Sequence, residues 1–469
     1  MNIVLLLIGV IIYLIFSFII GLWRTKGTNL AGFIASKDSI GFWPILLSLV
    51  ATIVGGGMFF AVGQIGFEAG ILGYIMGACY IVGFSLVALA IPKIRNFFKG
   101  QNYLTLIDLV DNKYKSKRTT IAFGAVNFFI YFFMLAAQFL VLGTFLNYFS
   151  GIGLGYGILL IAIIVAVLNI IIYSAVGGIR KDIATDVFQM IVIIIGSLLL
   201  LSLLIKPGVW DSISTLPNIY FTGLGYGVVM LIGVALFFIP AFFVRLDFWQ
   251  RILAAKSDKV AKKAFFVAGF LTFLFYFIFT TIGMYAKSLG IAEGKIATIG
   301  LITHTFSGLS YIVIILAFLA AVMSTADTAL NVAAVTFSRM FKRKNWNSYL
   351  ENQTEDKRLL KFVKISAFLI GIFSVIIAFL IPNIVDLFVA AFSAILILAP
   401  ATFALLFGKR PNSRAAFWSI VIGFFVFLVL FIFIPKESFV AGVLVSIITY
   451  FVVAKFSNKP EVISPTQIL

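Results

Sequence analysis

Asp327, in the run Ala320-Ala-Val-Met-Ser-Thr-Ala-Asp-Thr-Ala-Leu330, and Asp186, at the head of Thr185-Asp-Val-Phe-Gln189, are carboxylates set within or at the mouth of long apolar segments. An uncompensated charge at mid-membrane costs about 2.5–3.5 kcal/mol on insertion scales, so each carboxylate calls for a partner. Ser324 and Thr325 add two hydroxyl oxygens within one helical turn of Asp327. Oxygen clusters of this kind suit a small, hard cation better than a transition metal, which points to ion-coupled transport. Hydroxyls in membrane helices also bond simply to the carbonyl four residues back, so this pair gains its meaning from what faces it.

The setting is a lipid bilayer. Of 469 residues, 62% are hydrophobic and 11% charged, with a mean hydropathy of +1.16. Apolar runs of the roughly 20 residues that a spanning helix needs recur along the chain. Hydropathy places about thirteen of them, near Ile3–Trp23, Ile40–Gly66, Gly70–Pro92, Ile121–Phe149, Leu154–Val176, Ala184–Ile205, Tyr226–Phe248, Ala264–Ala286, Ser310–Phe337, Phe362–Ile381, Ile384–Leu406, Ala415–Ile434 and Ser438–Ala454. The expected architecture is all-α and polytopic, with residues 1–469 forming a single transmembrane domain. The first segment has no Lys or Arg before its apolar run, and that run exceeds the usual signal core of roughly 7–15 residues, so it is read as a retained span. The polar residues after Ala454 are too few for a cytosolic domain. The single Cys79 excludes an intrachain disulfide framework, and the single His304 lies in a predicted outer loop without a histidine partner, so zinc and redox chemistry are not expected.

A formal charge of +18 invites a nucleic-acid reading, but its distribution answers otherwise. Of 35 Lys and Arg, 30 fall in one set of alternate connections or, for Lys364, at its edge, four (Lys206, Lys287, Lys295, Lys436) in the other, and Arg245 within a span. That asymmetry is the positive-inside rule, with the amino end outside and the carboxyl end cytoplasmic, in a cell (plasma) membrane. The basic charge reports topology, and no nucleic-acid partner is expected. The loop lysines Lys256, Lys259, Lys262 and Lys263 face anionic headgroups. Arg245 stands beside Asp247 as a local structural pair, leaving no basic residue within a span for Asp327.

Carriers bind ions where irregular backbone is exposed near the membrane midplane. In the second span, Gly55-Gly-Gly57 costs about 1 kcal/mol per glycine relative to alanine, so the helix should unwind there. Its freed carbonyls around Ala51 to Val54 could then serve a cation; close helix packing through small residues is the competing explanation. In the seventh span, Pro240 of Phe237-Phe-Ile-Pro-Ala-Phe-Phe243 removes a backbone hydrogen bond near mid-helix. Two interrupted helices five spans apart suggest an inverted repeat of residues 40–205 and 226–406. An extra helix at 3–23 would precede it and two more, at 415–454, would follow.

Three segments, Gly177-Gly-Ile-Arg-Lys-Asp-Ile-Ala-Thr-Asp-Val-Phe-Gln189, Phe248-Trp-Gln-Arg-Ile-Leu-Ala-Ala-Lys256 and Ala320-Ala-Val-Met-Ser-Thr-Ala-Asp327, occur in the order and spans in which they resemble the sodium:solute symporters. The resemblance covers most of the chain and implies a LeuT-type 5+5 inverted-repeat fold with broken second and seventh spans. It implies a co-transported sodium ion held by the carbonyls of Ala51, Val54 and Ala321 and the hydroxyls of Ser324 and Thr325. It also implies a second sodium site at Asp186, with Ser324, Asp327 and Thr328 as partners.

One monovalent cation moving inward gains about 2.3 kcal/mol per 100 mV, and a tenfold gradient adds about 1.4 kcal/mol. One sodium would therefore support roughly 500-fold accumulation of a neutral solute, at about 1.4 kcal/mol per decade. Neither ATP nor an organic cofactor is required, and the sequence has no G-x-x-x-x-G-K-[ST] phosphate loop. An approximate register puts Met58, Gly77, Tyr80, Phe238, Phe242 and Phe388 near the central cavity, with Gln138 and Ser393 as the few polar candidates. A polyhydroxylated solute would leave hydroxyls unpaired there at about 1–3 kcal/mol each, which disfavours a sugar. Aromatic faces hold a quaternary ammonium by cation–π attraction, and Val54-Gly-Gly-Gly57 resembles the corresponding segment of the choline-carrying branch, although Ile53 stands where that branch has Trp. An amino acid or small carboxylate, its carboxyl group near the helix break, competes equally.

Other classes are a non-transporting sensor on the same fold, a proton-coupled carrier and a membrane enzyme. A sensor would need an output partner that the short tail does not supply. An enzyme would need a convergent acid–base set, for which Asp186 and Asp327 are the sole candidates, and none is expected.

Overall fold

The computed structural model describes residues 3–457 except 24–29, 102, 152–155, 292–293, 295–296, 342–352, 381–393, 409–410 and 435–437. Among the described residues the structure is helical apart from one isolated parallel bridge between Ile40 and Ala255. Among the described residues nine helices are long and apolar enough to cross a membrane, ten if one bent pair counts as a single span. The expectation of thirteen is not reached in that form. The expected fifth and sixth spans are both helical and follow each other directly within α8 (Tyr156–Leu204), divided at the non-helical Gly178. The seventh is a 15-residue helix, α10 (Gly227–Ala241), followed by a short one, α11 (Leu246–Ala254). Most of the first half of the eleventh lies outside the described residues.

The helix α14 (Gly308–Phe341) is the axis of the molecule: every residue from Ala317 to Thr336 is buried. A helix covered on all sides belongs to a core, and the alanines, serine and threonines along this stretch let neighbours approach closely. By contrast α1 (Ile3–Trp23) buries Leu6, Tyr13, Leu14 and Ser17 on one side and exposes Val4, Ile8, Ile11, Ile15 and Ile19 on the other, an apolar stripe suited to lipid. The outlying α17 (Ser413–Phe433) and α18 (Ser438–Phe456) pack mainly on each other.

The second span breaks where the glycines stand. Helix α3 (Phe42–Ile53) ends at Val54 (φ −76°, ψ 55°), whose N–H still donates to the Val50 carbonyl at 2.8 Å. The next bond is the short-range Met58 N–H to Gly55 carbonyl at 2.9 Å. A π-helical turn, Met58–Val62, then leads into α4 (Gly63–Ala69), inclined 57° to α3. Such turns widen the helix and recur at functional sites. Phe59 and Phe60 anchor this turn on Phe318 of α14, with ring centroids 5.5 Å apart in both cases.

In the seventh span the break falls after Pro240 rather than at mid-helix. Three successive tight bonds, from Phe242, Phe243 and Val244 to the carbonyls three residues back, turn the chain before α11 begins. The Trp249 indole donates to the Phe243 carbonyl at 2.8 Å and clamps the turn. Phe248-Trp-Gln-Arg251 therefore lies on a buried half-helix, where the sequence suggested the start of a loop.

The kink in α8 is set by close approach. Gly178 has φ 66°, and a Cβ there would lie 2.4 Å from the Phe33 carbonyl oxygen in α2 (Leu30–Ile34).

At the end of α11, Arg95 of α5 (Leu72–Phe98) donates to the carbonyls of Ile252 (2.6 Å) and Ala255 (2.7 Å) and pairs with Asp38 and Asp258. It thereby locks the strand-like contact in which the Asp38, Ser39 and Ile40 amides donate to Leu253 and Ala254, and Lys256 to Ile40. Hydrogen bonds to charged groups contribute about 1.5–3 kcal/mol, so Arg95→Met should speed hydrogen exchange of these four amides by at least about tenfold. Unaltered exchange would mean that the contact holds without Arg95.

Candidate ion-binding site at the helix break

Helix α14 brings Thr325 against the broken α3 and, one residue earlier, turns Ser324 to Asp186 of α8. The Thr325 hydroxyl donates to the Thr52 carbonyl at 3.0 Å, one of the carbonyls left outside the regular helical ladder. The approach is close enough that a Cβ on Gly55 would lie 2.1 Å from Thr325 Oγ1, and one on Gly56 2.5 Å from Val322 Cγ2. Ala51, Val54, Ala321, Ser324 and Thr325, the five expected ligands of the first sodium site, are all buried on these two facing segments. Gln138 of α7 (Lys117–Gly151) fixes the break from a third side, its Oε1 accepting from the Gly56 N–H at 3.1 Å. The arrangement offers backbone and hydroxyl oxygens to a small cation where the helix cannot continue, a donor set that fits sodium.

Beside this lies a buried charge cluster that the sequence did not disclose. Asp186 accepts from Ser324 Oγ and Ser48 Oγ (2.5 Å each), and pairs with Arg251 Nη2 at 3.0 Å. The Arg251 guanidinium also reaches Ser48 Oγ (2.9 Å), Thr52 Oγ1 (2.6 Å), Thr328 Oγ1 (3.0 Å) and the Asp247 carbonyl (3.2 Å). Four elements, α3, α8, α11 and α14, thus converge on one side chain. Asp327 pairs with Lys181 Nζ at 2.5 Å, and Lys181 lies 3.6 Å from Asp182 Oδ1. Asn331 Nδ2 donates to Asp182 Oδ2 at 3.0 Å.

The expectation that Arg245 is the one basic residue within the spans is therefore corrected: Lys181 and Arg251, assigned to loops, are fully buried. A charge in this interior persists only when paired, and Asp327 and Asp186 supply the partners. Arg245 does pair with Asp247 as expected, at 3.1 and 2.7 Å, with the Tyr131 hydroxyl donating to the same carboxylate. His304 is exposed at the end of α13 (Ala297–Thr305).

The structure gathers some of the expected solute-site residues. Tyr80 meets Phe242 edge-on at 4.9 Å between centroids and Tyr276 at 5.0 Å. Gly77 permits the latter, since a Cβ there would lie 2.7 Å from Tyr276 Cβ. Tyr276, on α12 (Asp258–Ser288), is a member of this aromatic group that the sequence analysis missed. Met58 is buried at the start of the π turn. Phe238 lies on α10, but its side chain, like residues Phe388 and Ser393, is outside the described residues.

Broken helices meeting beside a buried central helix define the class: this is a LeuT-type transporter fold. One solved structure, a substrate-bound, outward-open Na+-coupled sialic acid symporter, superposes with a TM-score of 0.77 at 17% identity, over 96% of this chain and 97% of that one. Another, a nucleobase-cation-symport-1 family transporter in a closed conformation, gives 0.59 at 13% identity over 90% and 94%. The family described as "Sodium:solute symporter family" matches residues 33–423, and the chain belongs to it. Among curated relatives, mouse sodium/glucose cotransporter 1 is 26% identical over 200 residues, 41% of this chain and 28% of that protein. Mouse sodium/myo-inositol cotransporter 2 is 26% identical over 196 residues, again 41% and 28%. The match thus spans well under two thirds of those relatives' length. The chain is an integral membrane protein of a transporter family.

Proposed function

We propose that this chain is a sodium-coupled symporter that imports a small organic solute by alternating access. The single observation that carries the reading is the contact of Thr325 with the unwound end of α3, which assembles an oxygen-lined cation site between two elements that a conformational change can separate. Sodium bound there would hold α3 to α14 and release the contact on leaving. The two halves, 40–205 and 226–406, would move relative to each other around this point, with the amino end outside and the carboxyl end in the cytoplasm.

The solute reading rests on the lining. Tyr80, Tyr276 and Phe242 present aromatic faces, and the nearby charges, Arg245 and Asp247, are already paired. The two cotransporters named above are named for glucose and myo-inositol; a polyol placed among these rings would leave hydroxyls unpaired at about 1–3 kcal/mol each. An amino acid, a small carboxylate or a quaternary ammonium compound suits the site better, with Gln138 at the break as a polar anchor.

The test is uptake into proteoliposomes under an inward sodium gradient, scanning these solute classes and sugars. Accumulation of one class that requires sodium is expected. Thr325→Ala and Ser324→Ala should each raise the sodium concentration for half-maximal uptake by about tenfold, the worth of one charge-assisted oxygen contact, while leaving solute recognition less affected. Equal uptake driven by a proton gradient without sodium would favour a proton-coupled carrier, and binding without flux would favour a sensor.

A further inference from the structure

Resting on the sodium-symport reading above, we infer that Lys181 and Arg251 are resident counter-ions occupying the place of a second sodium, so that each transport cycle carries a single sodium ion. The two carboxylates that would form a second site are both engaged. Asp327 is held by Lys181 Nζ at 2.5 Å, and Asp186 by Arg251 Nη2 at 3.0 Å. Thr328, the hydroxyl expected to complete that site, instead accepts from Arg251 at 3.0 Å.

Neither cation can simply step aside. All of Arg251 is buried, and its guanidinium makes five polar contacts to Ser48, Thr52, Asp186, Thr328 and the Asp247 carbonyl. Withdrawing it would strand a guanidinium without water or partner. Lys181 is fully buried between Asp327 and Asp182. A compact ammonium on a four-carbon stem behaves as a point charge and is the closest side-chain equivalent of an alkali cation.

Equilibrium binding of radioactive sodium to the purified full chain, with no solute added, tests this. The native protein should bind one ion per chain. Lys181→Met should bind two, because Asp327 is then open to an alkali cation, and Lys181→Met combined with Asp327→Asn should return to one. Two ions on the native protein, or one ion on both variants, would overturn the inference while leaving sodium symport standing. Should Lys181→Met fail to fold, the native stoichiometry decides: one supports the inference and two overturns it. No sodium binding to the native protein would instead defeat the symport reading and this inference with it.

Discussion

Gly55→Ala should shift sodium-dependent stabilisation and transport to sodium concentrations well above those that half-saturate the native protein. The added methyl group would lie 2.1 Å from Thr325 Oγ1 and 2.8 Å from Thr325 Cβ, distances that real contacts do not show. Thr325 cannot retreat, because it sits in the stretch of α14 that is buried throughout. Overpacking of this kind costs about 1–3 kcal/mol. The cost falls on the geometry that brings Thr325 to the Thr52 carbonyl, so it should appear as weaker ion binding. At about 1.4 kcal/mol per decade, sodium affinity should fall by roughly ten- to a hundredfold. Gly143→Ala on α7 is the control, since nothing lies within 4 Å of a Cβ there. A sodium titration of thermal stability that gives the same midpoint for Gly55→Ala and the native chain would remove the break from the ion site.

Arg251→Met should be the most damaging single change to stability. It leaves Asp186 buried with only Ser48 and Ser324 as donors, and removes the link among α3, α8, α11 and α14. Breaking a buried ion pair by removing one partner costs about 3–5 kcal/mol, because the other charge remains uncompensated. Arg251→Lys should recover little, since an ammonium cannot reproduce the planar fork that spans Ser48, Thr52 and Thr328. Arg251→Met with Asp186→Asn should recover part of the loss by deleting both charges. Melting temperature and yield in detergent, measured without sodium, decide the matter. Equal destabilisation in the single and double variants would show that the guanidinium acts through packing and not through the carboxylate.

The helix breaks were legible because their causes are local. Three adjacent glycines and an in-span proline weaken a helix wherever they stand, and Thr325 beside Asp327 marked the facing surface. The position of the second break was displaced because Pro240 tolerates the last turn of α10, while the Trp249 and Phe243 clamp fixes the turn beyond it. The span count stays below thirteen among the described residues because the seventh span is divided at its break into α10 and α11 and most of the first half of the eleventh lies outside them. The charge cluster was hidden for a different reason. Lys181 and Asp327 are 146 residues apart, and Arg251 and Ser48 are 203 apart, so no local pattern announces either pair. What could have announced them was the arithmetic of buried charge. Carboxylates at 182, 186 and 327 demand cations, and the apolar company of Arg251 in Phe248-Trp-Gln-Arg-Ile-Leu253 suits a buried half-helix better than a loop.

The most direct measurement is the thermal stability of the purified chain in sodium chloride against equimolar potassium chloride and choline chloride. A ligand that binds only the folded state stabilises by about 2.7 kcal/mol at a hundredfold excess over its dissociation constant. The site at the α3 break predicts a sodium-specific rise in melting temperature that Thr325→Ala diminishes. Equal melting temperatures in the three salts, or a sodium effect unchanged in Thr325→Ala, would contradict a sodium site between α3 and α14.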